Sequence, residues 1–152
     1  MDLILWRHAQ AEDGLPDIER PLTPLGRKQA ARMAAWLDRS LPSGCRILCS
    51  PAVRTRQTAD ALGRKYKLVP EIGPGANTQQ VLEAAGWPDA RGPVLLIGHQ
   101  PWLGQVAALL LTGYPHDWTV KKANAWWIAQ RDRDEGNAIY LKAVLAPEFF
   151  NE

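Results

Sequence analysis

The sequence predicts an α/β fold: one three-layer domain spanning residues 1–152, with a mostly parallel sheet, helices on both faces and a C-terminal antiparallel hairpin. Three observations predict it. Short apolar runs alternate with segments of helical period through the first two thirds of the chain. Two helix starts carry a cap-then-proline pair, Thr23-Pro24 and Ser50-Pro51. The last third holds two apolar runs joined by a polar stretch too short for a crossover helix.

Residues 2–6 form an apolar strand, followed by a loop of about fifteen residues marked by Gly14, Pro16 and Pro21, a length that suggests a functional role. Thr23 caps a helix in which Ala30, Met33, Ala34, Leu37 and Leu41 share one face, and Pro42-Ser43-Gly44 ends it. Ile47-Leu48-Cys49 reads as a buried strand, and Ser50 as the cap of a helix running to about Lys65. Lys67 to Ile72 is a short strand, and Asn77 caps a helix over 78–85 that stops at Gly86. Pro93 to Gly98 is a fully apolar strand, and Trp102 to Leu111 a helix packed on both sides. Ala123 to Gln130 and Ala138 to Val144 pair as the hairpin around Asp132-Arg133-Asp134-Glu135-Gly136-Asn137.

At 152 residues the chain can bury ~68–70% of its unfolded surface, so a second domain is not needed. With 46% hydrophobic and 22% charged residues, and no apolar run near the ~18 residues of a membrane helix, it reads as soluble and without a membrane partner. The first residues are too short and lack the basic leader of a signal peptide. Cys45 and Cys49 lie four residues apart in or beside a strand, ~13 Å in extended chain, so they read as two thiols in a reducing cytoplasm. They have no clustered partners for a metal. The net charge of +2 is spread among acids, which gives nucleic-acid binding little support. The oligomeric state stays open, with a monomer the simpler expectation.

Three polar motifs follow three strands: Arg7-His8, Ser50-Pro51-Ala52-Val53-Arg54 and Gly98-His99-Gln100-Pro101. In an open parallel sheet the crevice beyond the carboxyl ends of the strands binds ligands, so the three motifs share one edge. The edge holds histidines, arginines and helix N-termini with no carboxylate in any motif, which suits an anion. An uncharged imidazole attacks phosphorus, and surrounding cations stabilise the equatorial oxygens. His8 is therefore the candidate nucleophile, Arg7 and Arg54 the phosphate clamp, and His99 a donor to the transferring oxygens that can serve as imidazolium, with Gln100 beside it as a substrate-binding residue. Arg56 reads as solvated, and so does His116. The pattern alone leaves an enzyme and an anion-binding module both open.

The motifs closely resemble a known family. L-I-L-W-R-H-A is similar to the R-H-G/A signature of the histidine phosphatase (phosphoglycerate mutase-like) superfamily, S-P-A-V-R-T-R-Q-T-A to its S-x-x-x-R-A-x-x-T-A helix start, and I-G-H-Q-P to its second-histidine motif. D-I-E-R-P-L-T-P-L-G-R-K-Q-A, residues 17–30, together with the short chain, resembles the SixA-type protein-histidine phosphatases. The likeness runs from residue 2 to about 112. It implies a phosphohistidine intermediate on His8, phosphate held by Arg7, Arg54 and His99, and no cofactor or metal. Larger members carry a carboxylic general acid in an inserted segment, whereas here residues 66–93 are short and hold Glu71 and Glu83 as their only glutamates. Asp13, Asp17 and Glu71 are weak candidates for a proton donor, as is Glu12 in the loop after His8; Glu12 and Asp13 read better as solvated loop charges, and Asp17 and Arg20 as an ion pair. Protonated phosphohistidine leaves as neutral imidazole, whose conjugate acid has a pKa of ~6.5, whereas an alkoxide needs a proton. The expected substrate is thus phosphohistidine on a signalling protein, the alternatives being a small phosphorylated metabolite or a module that binds phosphate without turnover. The missing segment disfavours a mutase.

Overall fold

The structure, a computed structural model, describes residues 1–131 and 138–150. Its strands are β1 (Leu3–Arg7), β2 (Arg46–Cys49), β3 (Lys67–Leu68), β4 (Val94–Gly98), β5 (Ala125–Gln130) and β6 (Ile139–Leu145). Its helices are α1 (Pro24–Ser40), α2 (Val53–Asp60), α3 (Thr78–Ala85) and α4 (Trp102–Thr112). The strands form one mixed sheet in the order β3-β2-β4-β1-β5-β6. The first four are mutually parallel, and β5 and β6 run antiparallel.

Both faces of the sheet are covered, which is why its central strands are apolar at every position. On one face Ile4, Trp6, Ile47, Cys49 and Ile97 pack against Ala30, Met33, Ala34 and Leu37 of α1. On the other Leu3, Leu5, Leu48 and Leu96 pack against Val81 and Ala85 of α3 and Leu103 and Val106 of α4. The alternation along β1 assigns successive side chains to opposite cores. The expected three-layer α/β architecture is the one observed.

The helix boundaries follow from local chemistry. The Thr23 hydroxyl accepts the Gly26 N–H at 2.9 Å, with Pro24 at the first helical position. Asn77 and Gln80 form a reciprocal capping box, and Gly86 ends α3 with a left-handed φ of 75°. Three expectations are corrected. Helix α2 starts at Val53, its N-cap is Ala52 rather than Ser50, and it ends at Asp60, short of Lys65. The segment after it pairs only at Lys67–Leu68, because Pro70 has no N–H to give the ladder and starts a single 3-10 turn through Ile72. Arg56 is half-buried, not solvated. The expected hairpin forms with a register shift between Trp127 and Ile128, while its connecting stretch 132–137 lies outside the described residues. Cys45 and Cys49 are free thiols. Among the described residues no helix is long and apolar enough to cross a membrane.

The topology sets Arg7 beside Gly98 in the β1–β4 register, and Cys49 beside Ile97 in the β2–β4 register. The three polar motifs therefore leave the sheet at one edge. A close approach holds the chain that borders it: a Cβ at Gly104 in α4 would overlap the Trp118 carbonyl oxygen. Gly104→Ala is expected to lose about 1–3 kcal/mol of stability through overpacking. In urea unfolding the midpoint should fall with an unchanged m-value; a midpoint equal to the parent's would show that the 113–124 segment yields freely.

Candidate active site

His8 is the first residue past β1, and its backbone is held from two sides. Its N–H donates to the Gly98 carbonyl at 3.1 Å, and its own carbonyl accepts the Ala123 N–H at 3.1 Å. The next residue is fixed as well, since the Ala9 N–H donates to the Thr58 hydroxyl at 3.1 Å and that hydroxyl donates to the Arg54 carbonyl in α2 at 2.8 Å. The His8 Nδ1–H donates to the Ala9 carbonyl at 2.7 Å. A carbonyl only accepts, so Nδ1 must carry the proton and the lone pair lies on Nε2. Burial lowers the His8 pKa to about 4; the Ala9 hydrogen bond opposes this, and Arg7, Arg54 and Arg20 add to it. His8 is thus an uncharged imidazole at neutral pH with its lone pair on Nε2.

His99 is the first residue past β4, and its carbonyl accepts the Leu103 N–H of α4 at 3.0 Å. The two imidazoles lie 5.4 Å apart between centroids at an angle of 54°. His99 Nε2 is 2.7 Å from the Ser50 hydroxyl, so Ser50 orients this ring instead of capping α2. The imidazolium expected for His99 is not what the free site holds. Burial first, then His8 and Arg54, press its pKa down to about 3, and Asp17 only partly opposes them.

Arg54, 4% exposed, reaches back from the first turn of α2. Its Nη1 donates to the Asp17 carbonyl at 2.8 Å and its Nη2 to the Asp17 carboxylate at 3.1 Å. Asp17 also pairs with Arg20 at 2.9 Å, and Arg20 Nε donates to the Glu12 carbonyl at 2.7 Å, which ties down the loop after β1 as an ion-paired strap. The Asp17 carboxyl is held below its ordinary value by the Arg20 hydrogen bond first and by Arg54. Arg7 donates from Nη1 to the Val120 carbonyl at 2.9 Å. Burial, then the like charge of Arg54, lowers its pKa.

Four buried side-chain nitrogens lack a protein partner among the described residues, and three belong to this site: Arg7 Nε, Arg54 Nε and His99 Nδ1. Buried donors without acceptors are costly, and two mutually repelling guanidiniums add to the cost. An oxyanion between the imidazoles supplies acceptors and opposite charge at once. Among the described residues no group of three or more His, Cys, Asp or Glu side chains is placed to hold a metal ion.

Other expected residues fall elsewhere. The Gln100 side chain accepts the Gly104 N–H at 2.8 Å and donates to the Trp118 carbonyl at 2.8 Å. It fastens the 113–124 segment to α4, and among the described residues no hydrogen bond joins it to Arg7, His8, Arg54 or His99. Asp13 is exposed, and Glu71 is exposed on the 3-10 turn, lining one cavity with Arg46, Lys67 and Glu83 and another with Ile18 and Pro51. Asp17 is the one candidate carboxylate with a hydrogen bond to Arg54 among the described residues. Sequence reasoning missed the orienting role of Ser50, the Thr58 bridge and the Val120–Ala123 backbone. Ser50 and Thr58 stand inside the second motif and were open to notice there; backbone carbonyls leave no such signal.

The two neutral imidazoles have a consequence for stability. Their folded pKa values, about 4 and about 3, lie below the ~6.5 of an unfolded histidine, so between these limits the unfolded chain binds protons that the native chain refuses. Stability falls as pH drops below about 6.5 and stops falling on their account only below the folded values. Each histidine contributes a slope of up to about 1.4 kcal/mol per pH unit between pH 4.5 and 6. Denaturant unfolding across that range should show the decline, and His8→Ala should reduce its slope by about half the joint histidine contribution. An unchanged slope in that variant would contradict a neutral buried His8.

Comparison with known proteins shows the family and the fold. The family model described as "Histidine phosphatase superfamily (branch 1)" matches residues 3–81, more than half of the chain. An uncharacterised protein of Mycobacterium tuberculosis is 32% identical over 111 residues, covering 68% of each chain. The phosphohistidine phosphatase SixA of Escherichia coli is 31% identical over 123 residues, covering 74% of this chain and 76% of its own. The solved structure of the protein histidine phosphatase SixA complexed with tungstate has the same fold, with a TM-score of 0.79, 24% identity, and 98% and 99% of the two chains covered. With an imidazole lone pair set among arginines at the end of its first strand, and with these relatives, the chain belongs to the histidine phosphatase superfamily.

Proposed function

We propose that the protein removes phosphoryl groups from phosphohistidine on a signalling protein, through a phosphorylated His8. The observation that carries this is the Nδ1 hydrogen bond to the Ala9 carbonyl, which leaves Nε2 of an uncharged ring facing the arginine-rich edge. In the first step, with the substrate's phosphohistidine protonated on its other ring nitrogen, Nε2 of His8 forms a bond to phosphorus as the substrate's P–N bond breaks, and the substrate histidine leaves as neutral imidazole. Water then attacks phosphorus, the P–Nε2 bond breaks, inorganic phosphate departs and the lone pair returns to His8. Arg7 and Arg54 neutralise charge on the equatorial oxygens, work that elsewhere falls to a metal ion, and a protonated His99 Nδ1 gives a further donor when Ser50 donates to Nε2.

The choice of phosphohistidine rests on the leaving group. Asp13 and Glu71 are exposed and form no hydrogen bond or ion pair with Arg7, Arg54 or either imidazole among the described residues, and Asp17 is engaged by two arginines that hold it ionised. A carboxylate kept in that state is a poor acid. Neutral imidazole leaves without a proton from the enzyme, whereas an alkoxide does not. Similarity to the SixA phosphohistidine phosphatase of Escherichia coli supports the same substrate class. The sequence features of a protein of the reducing cytoplasm fit this role.

Turnover of a phosphohistidine peptide, a phosphoserine peptide and an aryl phosphate by the purified protein tests the proposal. The phosphohistidine peptide should exceed phosphoserine in kcat/KM by about 10²-fold or more, the contribution a general acid would otherwise make. His8→Ala should lower turnover by at least ~10³-fold, and quenching the parent in base should trap acid-labile phosphate on His8. Faster hydrolysis of phosphoserine would overturn the leaving-group argument and favour a phosphomonoesterase using Asp17. Binding of all three without hydrolysis would favour a phosphate-binding module.

A further inference from the structure

We propose that the cavity beside Arg7, lined by Gln29, Lys121, Lys122, Asn124 and Glu148, receives acidic side chains of the substrate protein and selects phosphorylated residues that have carboxylates nearby in the chain. This deepens the proposed function and rests on the reading of the His8 edge as the phosphoryl site. The cavity, about 330 Å³, is lined by Arg7, the same residue that the proposed function places in the phosphate clamp. Its size is at the low end of ligand pockets and suits one or two side chains rather than a large cofactor.

The lysines are placed by the same contacts that hold the nucleophile. Arg7 Nη1 is bonded to the Val120 carbonyl at 2.9 Å, and Lys121 and Lys122 follow directly. The Asn124 N–H donates to the Lys121 carbonyl at 3.0 Å, the Ala123 N–H to the His8 carbonyl at 3.1 Å, and the Trp6 indole to the Ala123 carbonyl at 2.9 Å. Their backbone thus keeps a set distance from His8, while both side chains are exposed.

The charge in the cavity is unbalanced. Three cations, Arg7, Lys121 and Lys122, face one carboxylate, Glu148, and none of the ion pairs formed among the described residues involves either lysine or Glu148. An added carboxylate meets net attraction, a neutral side chain none. The cavity adjoins Arg7, so an extended substrate, at about 3.3–3.6 Å per residue, reaches it two to four residues from the phosphorylated position.

Phosphohistidine peptides carrying either Glu or Gln at positions two to four on both sides of the phosphorylated residue test this. The parent should favour the Glu peptide by about 10-fold in kcat/KM at low salt, with the gap closing as ionic strength rises. Lys121→Ala combined with Lys122→Ala should erase the gap and leave turnover of the Gln peptide unchanged. Fluorescence anisotropy with the His8→Ala variant reads the same preference without turnover. If neither peptide is hydrolysed but this variant binds the Glu peptide more tightly in a lysine-dependent way, the docking cavity stands and the proposed hydrolysis fails. Equal handling of the two peptides by the parent, or a preference that survives loss of both lysines, overturns the proposal.

Discussion

The backbone hydrogen bond from His8 to the Gly98 carbonyl ends the β1–β4 ladder, and the rest of the site depends on where that ladder stops. Residues some ninety positions apart in sequence become neighbours because two apolar strands pair in parallel with Arg7 opposite Gly98. The register is not free to drift. Leu3 and Leu5 fill one core, Ile4 and Trp6 the other, so a slip of one residue would send each side chain toward the wrong face. The hydrophobic contacts that stabilise the sheet are therefore the contacts that hold His8 and His99 at 5.4 Å. Packing and the geometry of the candidate site are set by the same residues.

That arrangement carries an electrostatic cost in the free protein. Burial and Arg54 depress Arg7, both imidazoles are kept uncharged, and three buried nitrogens lack partners among the described residues. Asp17 offsets part of the cost from within, since its carboxylate and its carbonyl occupy two nitrogens of Arg54 while Arg20 completes the strap. The loop after β1 is held by this charge pairing and by the packing of Gly26, where a Cβ would meet the Gln10 backbone. An anion that fills the site supplies the missing acceptors, and binding to the native state alone then raises stability by mass action.

Much of this was legible in the residues because apolar runs, caps and breakers are local signals. The strands around Ile4, Ile47 and Leu96 announce themselves by composition, and the capping box at Asn77 by spacing. The placement of His8, Arg54 and His99 at one edge followed from topology alone. Ser50 was harder: Ser-Pro reads equally as a helix cap, and only the fold shows its hydroxyl 2.7 Å from His99. Gln100 sits in the right motif but faces Trp118, a partner 18 residues away that no periodicity reveals. The 113–124 segment has no repeat or motif, yet its carbonyl at Val120 and its N–H at Ala123 clamp Arg7 and His8. Ala123 holds that position in a left-handed conformation, φ 64°, which a non-glycine residue adopts at a cost of roughly 1–2 kcal/mol and which composition does not foretell.

The low basicity of His8 bears on both halves of the proposed reaction. An imidazole pushed to about 4 by burial keeps its lone pair across the physiological range, so the first step needs no separate base. The same low basicity makes His8 a good leaving group when water attacks the phosphorylated enzyme, so the second step needs little help on the leaving side. Transfer from a histidine near ~6.5 to His8 crosses a gap of a few pKa units, which contacts with Arg7 and Arg54 can offset. Transfer from a serine must also expel an alkoxide, a far stronger base, and that demands an acid. Asp17, hydrogen-bonded to Arg54, is instead held ionised by two arginines, so the proposed reaction favours a substrate whose leaving group resembles the proposed nucleophile.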